Sequence, residues 1–380
     1  MGNSAPAGIL PAEQIAGLFA AGAITAPRAP DPDQVQPASL DLRLGRVAHR
    51  MRASFLPGPT MTVEDRLATL ALHELPLEAG AVLEPGSVYI VPLMESLALP
   101  DDLAAATNPK SSTGRLDIFT RVITDRAREF DTIPAGYRGQ LYIEISPRTF
   151  PVVVRAGSRL SQIRFRRGNA RLDDADLAAL HAATPLVDGA ISIGNGVMLS
   201  IDLEAEEGSV VGYRAKRHTG LVDVDRRDGY DVLDYWDPIL ARGRRELILD
   251  PDQFYILVSN EAVHVPPDYA AEMVPFDPLV GEFRVHYAGF FDPGFGHSAA
   301  GGAGSRAVLE VRSHEVPFIL EHGQSVGRLV YERMIARPKI LYGAGLSSNY
   351  QGQGLKPSKH FRAPACLASR DRFEVSPVRA

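Results

Sequence analysis

Residues Pro109-Lys110-Ser111-Ser112-Thr113-Gly114-Arg115 combine three hydroxyls, two cations and a glycine in one short stretch. Such a loop suits phosphate. Ser111 or Ser112 can cap a short helix whose free N–H groups point at an anion, while Lys110 and Arg115 supply charge-assisted bonds. Arg121, Arg126 and Arg128 follow and keep the neighbourhood positive. The same residue types also build an ordinary capped turn with solvated charges, and the spacing is compatible with both.

Two carboxylates close apolar runs, Leu141-Tyr142-Ile143-Glu144 and Val308-Leu309-Glu310. A poorly solvated carboxylate has a raised pKa and can take and give protons near neutral pH, so Glu144 and Glu310 are candidate proton carriers. The competing reading is an outward polar position on an alternating strand. Near Glu310 in sequence lies His286-Tyr287-Ala288-Gly289-Phe290-Phe291-Asp292-Pro293-Gly294-Phe295, whose aromatics suit a planar base and whose Asp292 suits a sugar hydroxyl. The Gly- and Ala-rich stretch from Gly296 to Ser305 reads equally as a lid or as a plain insertion.

These motifs are organised by an internal repeat at an offset of 166 residues. Leu83-Glu84-Pro85-Gly86-Ser87-Val88-Tyr89-Ile90 lies over Leu249-Asp250-Pro251-Asp252-Gln253-Phe254-Tyr255-Ile256, Glu95 over Glu261, Pro109 over Pro275, Glu144 over Glu310 and Gly157 over Gly323. Short strands are predicted in pairs: 88–91 with 254–258, 141–145 with 307–311, and 151–154 with 317–320. A helix near 173–186, with Asp at its start and Leu177, Leu180 and Leu186 on one face, links the copies. The expected domains are residues 1–170, a linker at 171–196, a second domain at 197–340 and a tail at 341–380. The glycine-rich stretch Gly343 to Gly354 is expected either to order on a ligand or to be a disordered terminus.

The copies have diverged in a complementary way. Opposite the anion loop the second copy reads Phe276-Asp277-Pro278-Leu279-Val280-Gly281-Glu282, with added carboxylates and no hydroxyl run. The first copy in turn has no equivalent of Asp292. The division implies one composite site: an anion loop from the first copy, a base pocket and Glu310 from the second.

Composition narrows the classes of function. The chain has 380 residues, 45% apolar and 23% charged, enough for two or three domains at roughly 100–200 residues each. With 34 glycines and 29 prolines it leans towards β structure. A net charge of −6 offers no global field for a nucleic-acid polymer. One cysteine, Cys366, leaves no disulfide, zinc ribbon or Cys-Cys redox pair to organise the chain, and a cytoplasmic location is the simplest reading. The Ala-rich stretch from Met1 to Pro30 is interrupted by Glu13 and has no basic leader, so neither a signal peptide nor a membrane span is expected.

As a set, Lys-Ser-Ser-x-x-Arg, Ala-Gly-x-x-Asp-Pro-Gly-Phe, a strand ending Val-Leu-Glu, the late Asn-Tyr-Gln-Gly-Gln and the early Gln36-Pro37-Ala38-Ser39-Leu40-Asp41-Leu42-Arg43-Leu44 resemble the dCTP deaminases of the dUTPase-like superfamily. The resemblance runs over nearly the whole chain as two tandem copies. It implies two distorted β-barrels with few short helices, assembled in homo-oligomers based on trimers. It also implies hydrolysis of dCTP to dUTP and ammonia in pyrimidine deoxynucleotide synthesis. Mg2+ would be bound through the triphosphate, with no metal ligand from the protein. No zinc is expected, because the zinc deaminases need a Pro-Cys-x-x-Cys that one cysteine cannot supply.

The resemblance assigns Glu310, and as second choice Glu144, to activating water. Lys110, Ser111, Ser112 and Arg115 fall on the phosphate loop, with Ser111 and Arg115 also near the reacting centre. Ala288, Gly289, Asp292, Val308 and Leu309 fall on the base and sugar pocket, and Tyr342, Tyr350 and Gln353 on the tail that closes over nucleotide. Lys110 stands where arginine is usual, and Asn349 where lysine is usual. The rival readings are a dUTP diphosphatase or bifunctional deaminase–diphosphatase, and a non-catalytic nucleotide-binding paralogue.

Overall fold

A fixed shift of 166 residues carries the strands of one half onto those of the other. Leu103–Pro109 and Arg159–Arg167 land on Tyr269–Pro275 and Ser325–Arg333, and Val88–Ala98 and Arg138–Pro147 land within a residue of Phe254–Val263 and Ser305–Ser313. The computed structural model describes residues 6–275, 283–285, 289–313, 315–344, 352 and 354–362. It is mainly β with few short helices.

Each half packs two principal sheets over an apolar centre. In the first, Arg138–Pro147 runs antiparallel between Val88–Ala98 and Ile118–Thr124, while Arg159–Arg167 pairs with Leu103–Pro109 and Leu40–Arg43. The second repeats this with Phe254–Val263 on Ser305–Ser313 and Tyr269–Pro275 on Ser325–Arg333. No sheet closes on itself among the described residues, so the expected barrels take the form of open sheets packed together.

The run Phe254-Tyr255-Ile256-Leu257-Val258 is apolar at every position because both faces of that strand are buried. With a side-chain period of two, Tyr255 and Leu257 enter the second half's own core, while Phe254, Ile256 and Val258 enter the core of the first half. Ser305–Ser313 does the same: Leu309 and Val311 face inward, Val308 faces the first core. An aromatic cluster completes that shared core. Phe150 meets Trp236 at 5.4 Å and Tyr235 at 5.8 Å, and Phe361, near the far end of the described chain, lies 5.9 Å from Trp236.

The expected helix is Asp174–Ala183, and the Asp173 side chain caps it by accepting from Asp176 N at 2.8 Å. Leu177, Leu186 and Val187 are buried in the second core, so the segment between the halves packs as part of the second. Its last described strand, Phe361–Arg362, pairs in parallel with Tyr230–Asp231 and returns the tail to the first half's core.

A buried ion pair also joins the halves. Arg312 bonds to Asp117 and lies 3.2 Å from Thr149 Oγ1, which is 2.5 Å from the same Asp117 oxygen. Removing one partner leaves a desolvated charge, so Arg312→Ala is expected to cost about 3–5 kcal/mol, and Arg312→Met with Asp117→Leu to recover most of it. Denaturant titration followed by Trp236 fluorescence measures both.

Candidate active site

The anion loop forms a short helix, Ser111–Gly114, between the strands Leu103–Pro109 and Ile118–Thr124. Its N-cap is Lys110, with no side-chain cap bond, so the expected cap by Ser111 or Ser112 is not made because both lie inside the helix. Thr113 Oγ1 donates to Leu160 O at 2.8 Å, turning one of the three hydroxyls into the protein. Lys110 pairs with Asp41, which also has Arg159 at 3.6 Å. Asp117, just beyond the loop, has φ 55, and its backbone carbonyl accepts from Arg148 N at 2.9 Å. The left-handed turn at Asp117 lets the loop and the strand after it face the second half.

Across that boundary stands Glu310. It is 4% exposed, on the face of Ser305–Ser313 turned towards the first half, and its Oε1 lies 3.8 Å from Arg115 Nε. Burial pushes its carboxyl up to about 8 against the opposing pull of Arg115. Arg115 belongs to the first copy and Glu310 to the second, and one chain brings them together. Arg115 Nη1 also donates to Lys356 O at 2.9 Å, so the tail passes over the same guanidinium.

Glu144, the matching residue of the first copy, has a different environment. Its Oε1 accepts from Arg121 Nη2 at 2.6 Å and Nε at 3.1 Å, and Arg121 is its direct cross-strand neighbour. The guanidinium lies 3.6 Å over the Phe130 ring and donates to Ser54 Oγ at 2.8 Å. The adjoining face is covered by Val63–Leu70, whose Val63 and Leu67 pack with Tyr142 and Ile90. Arg121 therefore neutralises Glu144 instead of serving the anion loop, contrary to expectation. The residue at its offset in the second copy is Tyr287, which carries no cation.

Asp292 is buried, 3.3 Å from Arg164 Nη2, and burial raises its carboxyl while Arg164 pulls it down. Lys110 and Asp41 are near enough to act on its charge, which places Asp292 beside the anion loop. Arg164 reaches from the first half to the carbonyls of Ala271 at 3.0 Å and Phe291 at 3.3 Å, and stacks over Phe290 at 4.1 Å. In the Asp-Pro-Gly-Phe turn, Gly294 has φ 100, and a Cβ there would stand 2.8 Å from Leu341 Cβ. Tyr342 crosses at that point, its N–H donating to Pro293 O at 2.8 Å and its ring 5.7 Å from Phe295. Gly289 O accepts from Met273 N at 3.0 Å. Val308 shares the face of Glu310, whereas Leu309 points into the second core and can serve a ligand only through its backbone. Ala288, Tyr350 and Gln353 lie outside the described residues.

Several residues at the site escaped the sequence reading. Asp41 and Arg164 pair across long sequence separations, and the tail continues beyond its glycine-rich stretch as a strap. Gly352 N donates to Ser305 Oγ at 2.8 Å, and Ser358 Oγ lies 2.9 Å from Ser112 O and 2.8 Å from His360 Nδ1. His360 Nε2 is 2.9 Å from Val224 O. The strap thus spans from the second half, over the anion loop, to the first.

A family model described as the 2'-deoxycytidine 5'-triphosphate deaminase N-terminal domain matches residues 6–169, and its C-terminal-domain counterpart matches residues 173–361. The crystal structure of 2'-deoxycytidine 5'-triphosphate deaminase from Agrobacterium tumefaciens has a TM-score of 0.83 and 66% identity, covering 88% of this chain and 99% of that one. A dCTP deaminase of Haloarcula marismortui is 35% identical over 139 residues, 36% of this chain and 68% of that protein. A dUMP-forming dCTP deaminase of Beutenbergia cavernae is 31% identical over 138 residues, again 36% and 68%.

Burial, with Lys359 and Arg227 adding to it, holds His360 down to about 4, below its ordinary 6.5. The docked strap keeps the imidazole neutral, whereas a released strap takes a proton first. Strap docking is therefore fully stable above about pH 6.5 and weakens as pH falls towards 4. The expected readout is a shift in Trp236 fluorescence across that window, absent in His360→Gln; a shift that persists in the variant assigns the step to another group.

Proposed function

The chain belongs to the dCTP deaminase family, and from that premise we propose that it hydrolyses the 4-amino group of dCTP, giving dUTP and ammonia, at one composite site built from both halves. The observation that carries this reading is the contact of Arg115 from the first copy with buried Glu310 from the second. Glu310 takes a proton from water as it attacks C4 and passes it to the leaving amine, a cycle suited to a carboxyl whose pKa is near neutrality. Arg115 limits the cost of ionising Glu310 in a dry site. Lys110, Ser111 and Ser112 take the phosphates, Asp292 the deoxyribose hydroxyl, and the backbone around Gly289, Val308 and Leu309 the base edge.

The donor set beside the loop is cationic, and Asp41 is already paired with Lys110, so these residues fit phosphate oxygens better than a bare metal ion. Magnesium, in this reading, comes coordinated to the triphosphate and offsets its charge; zinc has no part. The packed open sheets of each half are in this reading a distorted dUTPase-like barrel, the assembly is a trimer-based homo-oligomer, and the product feeds dUMP and dTTP synthesis in the cytoplasm.

A second reading adds hydrolysis of the triphosphate, because relatives of similar identity carry the dUMP-forming name. Purified protein incubated with dCTP and magnesium separates the two: ammonia alone supports deamination, ammonia with pyrophosphate the bifunctional reaction.

Glu310→Gln is expected to lower kcat by about a thousandfold, since a carboxamide cannot accept the proton, while Glu144→Gln leaves most of the activity. Equal losses, or the reverse order, would reject the assignment. Because burial pushes the free carboxyl up to about 8, kcat/KM is expected to climb as pH rises from about 6 towards 8, as the ionised base becomes the main form. A profile already flat from pH 6 would assign the base elsewhere.

A further inference from the structure

Lys359 occupies the middle of the strap, between two anchored neighbours. Ser358 is bonded to the carbonyl of Ser112 in the anion loop and His360 to that of Val224, while the Lys359 carbonyl accepts from Asp228 N at 3.0 Å. The backbone at Lys359 is thus fixed from three sides. Its side chain is half-buried, and its ammonium makes no hydrogen bond or ion pair among the described residues. The charged groups that act on it are Lys110, which opens the anion loop, Arg227 and Asp225 from the loop after Val224, and Asp41 from the strand Leu40–Arg43. Two cations therefore act on Lys359, while Asp225 is paired with Arg155 and Asp41 spends its Oδ2 on Lys110 and Arg159, its Oδ1 being bonded to neither.

An ammonium withdrawn from water without a partner is costly, and the cost is removed when an anion arrives. We propose that Lys359 is a phosphate-binding residue that, together with Lys110, clamps a polyphosphate chain between the strap and the anion loop. The inference rests on the nucleotide reading above and extends it, because it makes strap docking part of anion recognition. Arg115 holds the strap at Lys356 and faces Glu310, so an anion that seats the strap also fixes the guanidinium beside the reacting carboxyl. Burial and the neighbouring cations Lys110 and Arg227 hold the free ammonium down to about 8, and a bound polyphosphate would raise it. Anion affinity consequently falls as pH rises through 8, where the free ammonium loses its proton.

Calorimetric titration of the full chain with dCTP, inorganic tripolyphosphate and 2'-deoxycytidine tests this without depending on turnover. Lys359→Gln is expected to weaken dCTP by about ten- to thirtyfold and to leave 2'-deoxycytidine unchanged. Lys359→Arg should keep the affinity at pH 7 and also hold it at pH 9, where the wild type has weakened. Tripolyphosphate weakened in parallel shows that the anion alone is read; tripolyphosphate unaffected, with dCTP weakened, shows that the chain must be nucleotide-borne. Unchanged dCTP affinity in Lys359→Gln, an equal loss for 2'-deoxycytidine, or no binding of dCTP by the wild type overturns the proposal. A protein that fails to deaminate yet shows the lysine-dependent binding keeps this inference and loses the catalytic one. Trp236 fluorescence, unchanged in Lys359→Gln, confirms that the strap is still docked.

Discussion

The structure depends on a strand that has no solvent face. Ser305–Ser313 sends Leu309 and Val311 into its own core and presents Val308, Glu310 and Arg312 to the other half. Two charges in such a place need partners, and both come from the same short stretch of the first copy: Arg115 for Glu310 and Asp117 for Arg312. The two contacts differ in kind. Asp117 and Arg312 are hydrogen-bonded and lock the halves, whereas Arg115 stands at 3.8 Å from Glu310, near enough to temper its charge and too far for a full bond. Rigidity in one pair positions the looseness in the other.

Duplication explains why the two glutamates diverged. At the first-copy position, Arg121 closes on Glu144 from the adjacent strand, Phe130 stacks beneath it, and the helix Val63–Leu70 seals the surrounding face. That carboxylate has a guanidinium bonded to Oε1 without any ligand. At the second-copy position the facing surface belongs to the other half, so the carboxyl is left between domains with a cation at a distance. One of the two matching positions has become an ion pair between adjacent strands, and the other stands between the halves of the chain.

Much of this was legible in the sequence because it is local or periodic. The 166-residue offset aligns strand with strand, and the helix after Arg171 announces itself by Asp173 and its leucines. The pairing of an anion loop from one copy with a carboxylate from the other could be read from complementary losses. What was not legible depends on partners far apart in sequence: Arg164 meets Asp292 across 128 positions, and Lys110 meets Asp41 across 69. Arg121 misled for the same reason, since charge near a loop in sequence says nothing about which way a strand points it. The strap was hidden because Leu355 to Phe361 has no strong period, and its order comes from what it docks against.

The first half's core includes Tyr213, Trp236, Phe254 and Ile256, and is completed by Phe361. During synthesis, therefore, the leading copy emerges from the ribosome with an apolar wound that its own residues cannot cover. Closure waits for strands of the second copy, and for the strap that follows them. Such a nascent chain has reason to lean on a holding chaperone, and severing the gene between its halves would leave the first fragment's apolar face open until the second docks on it.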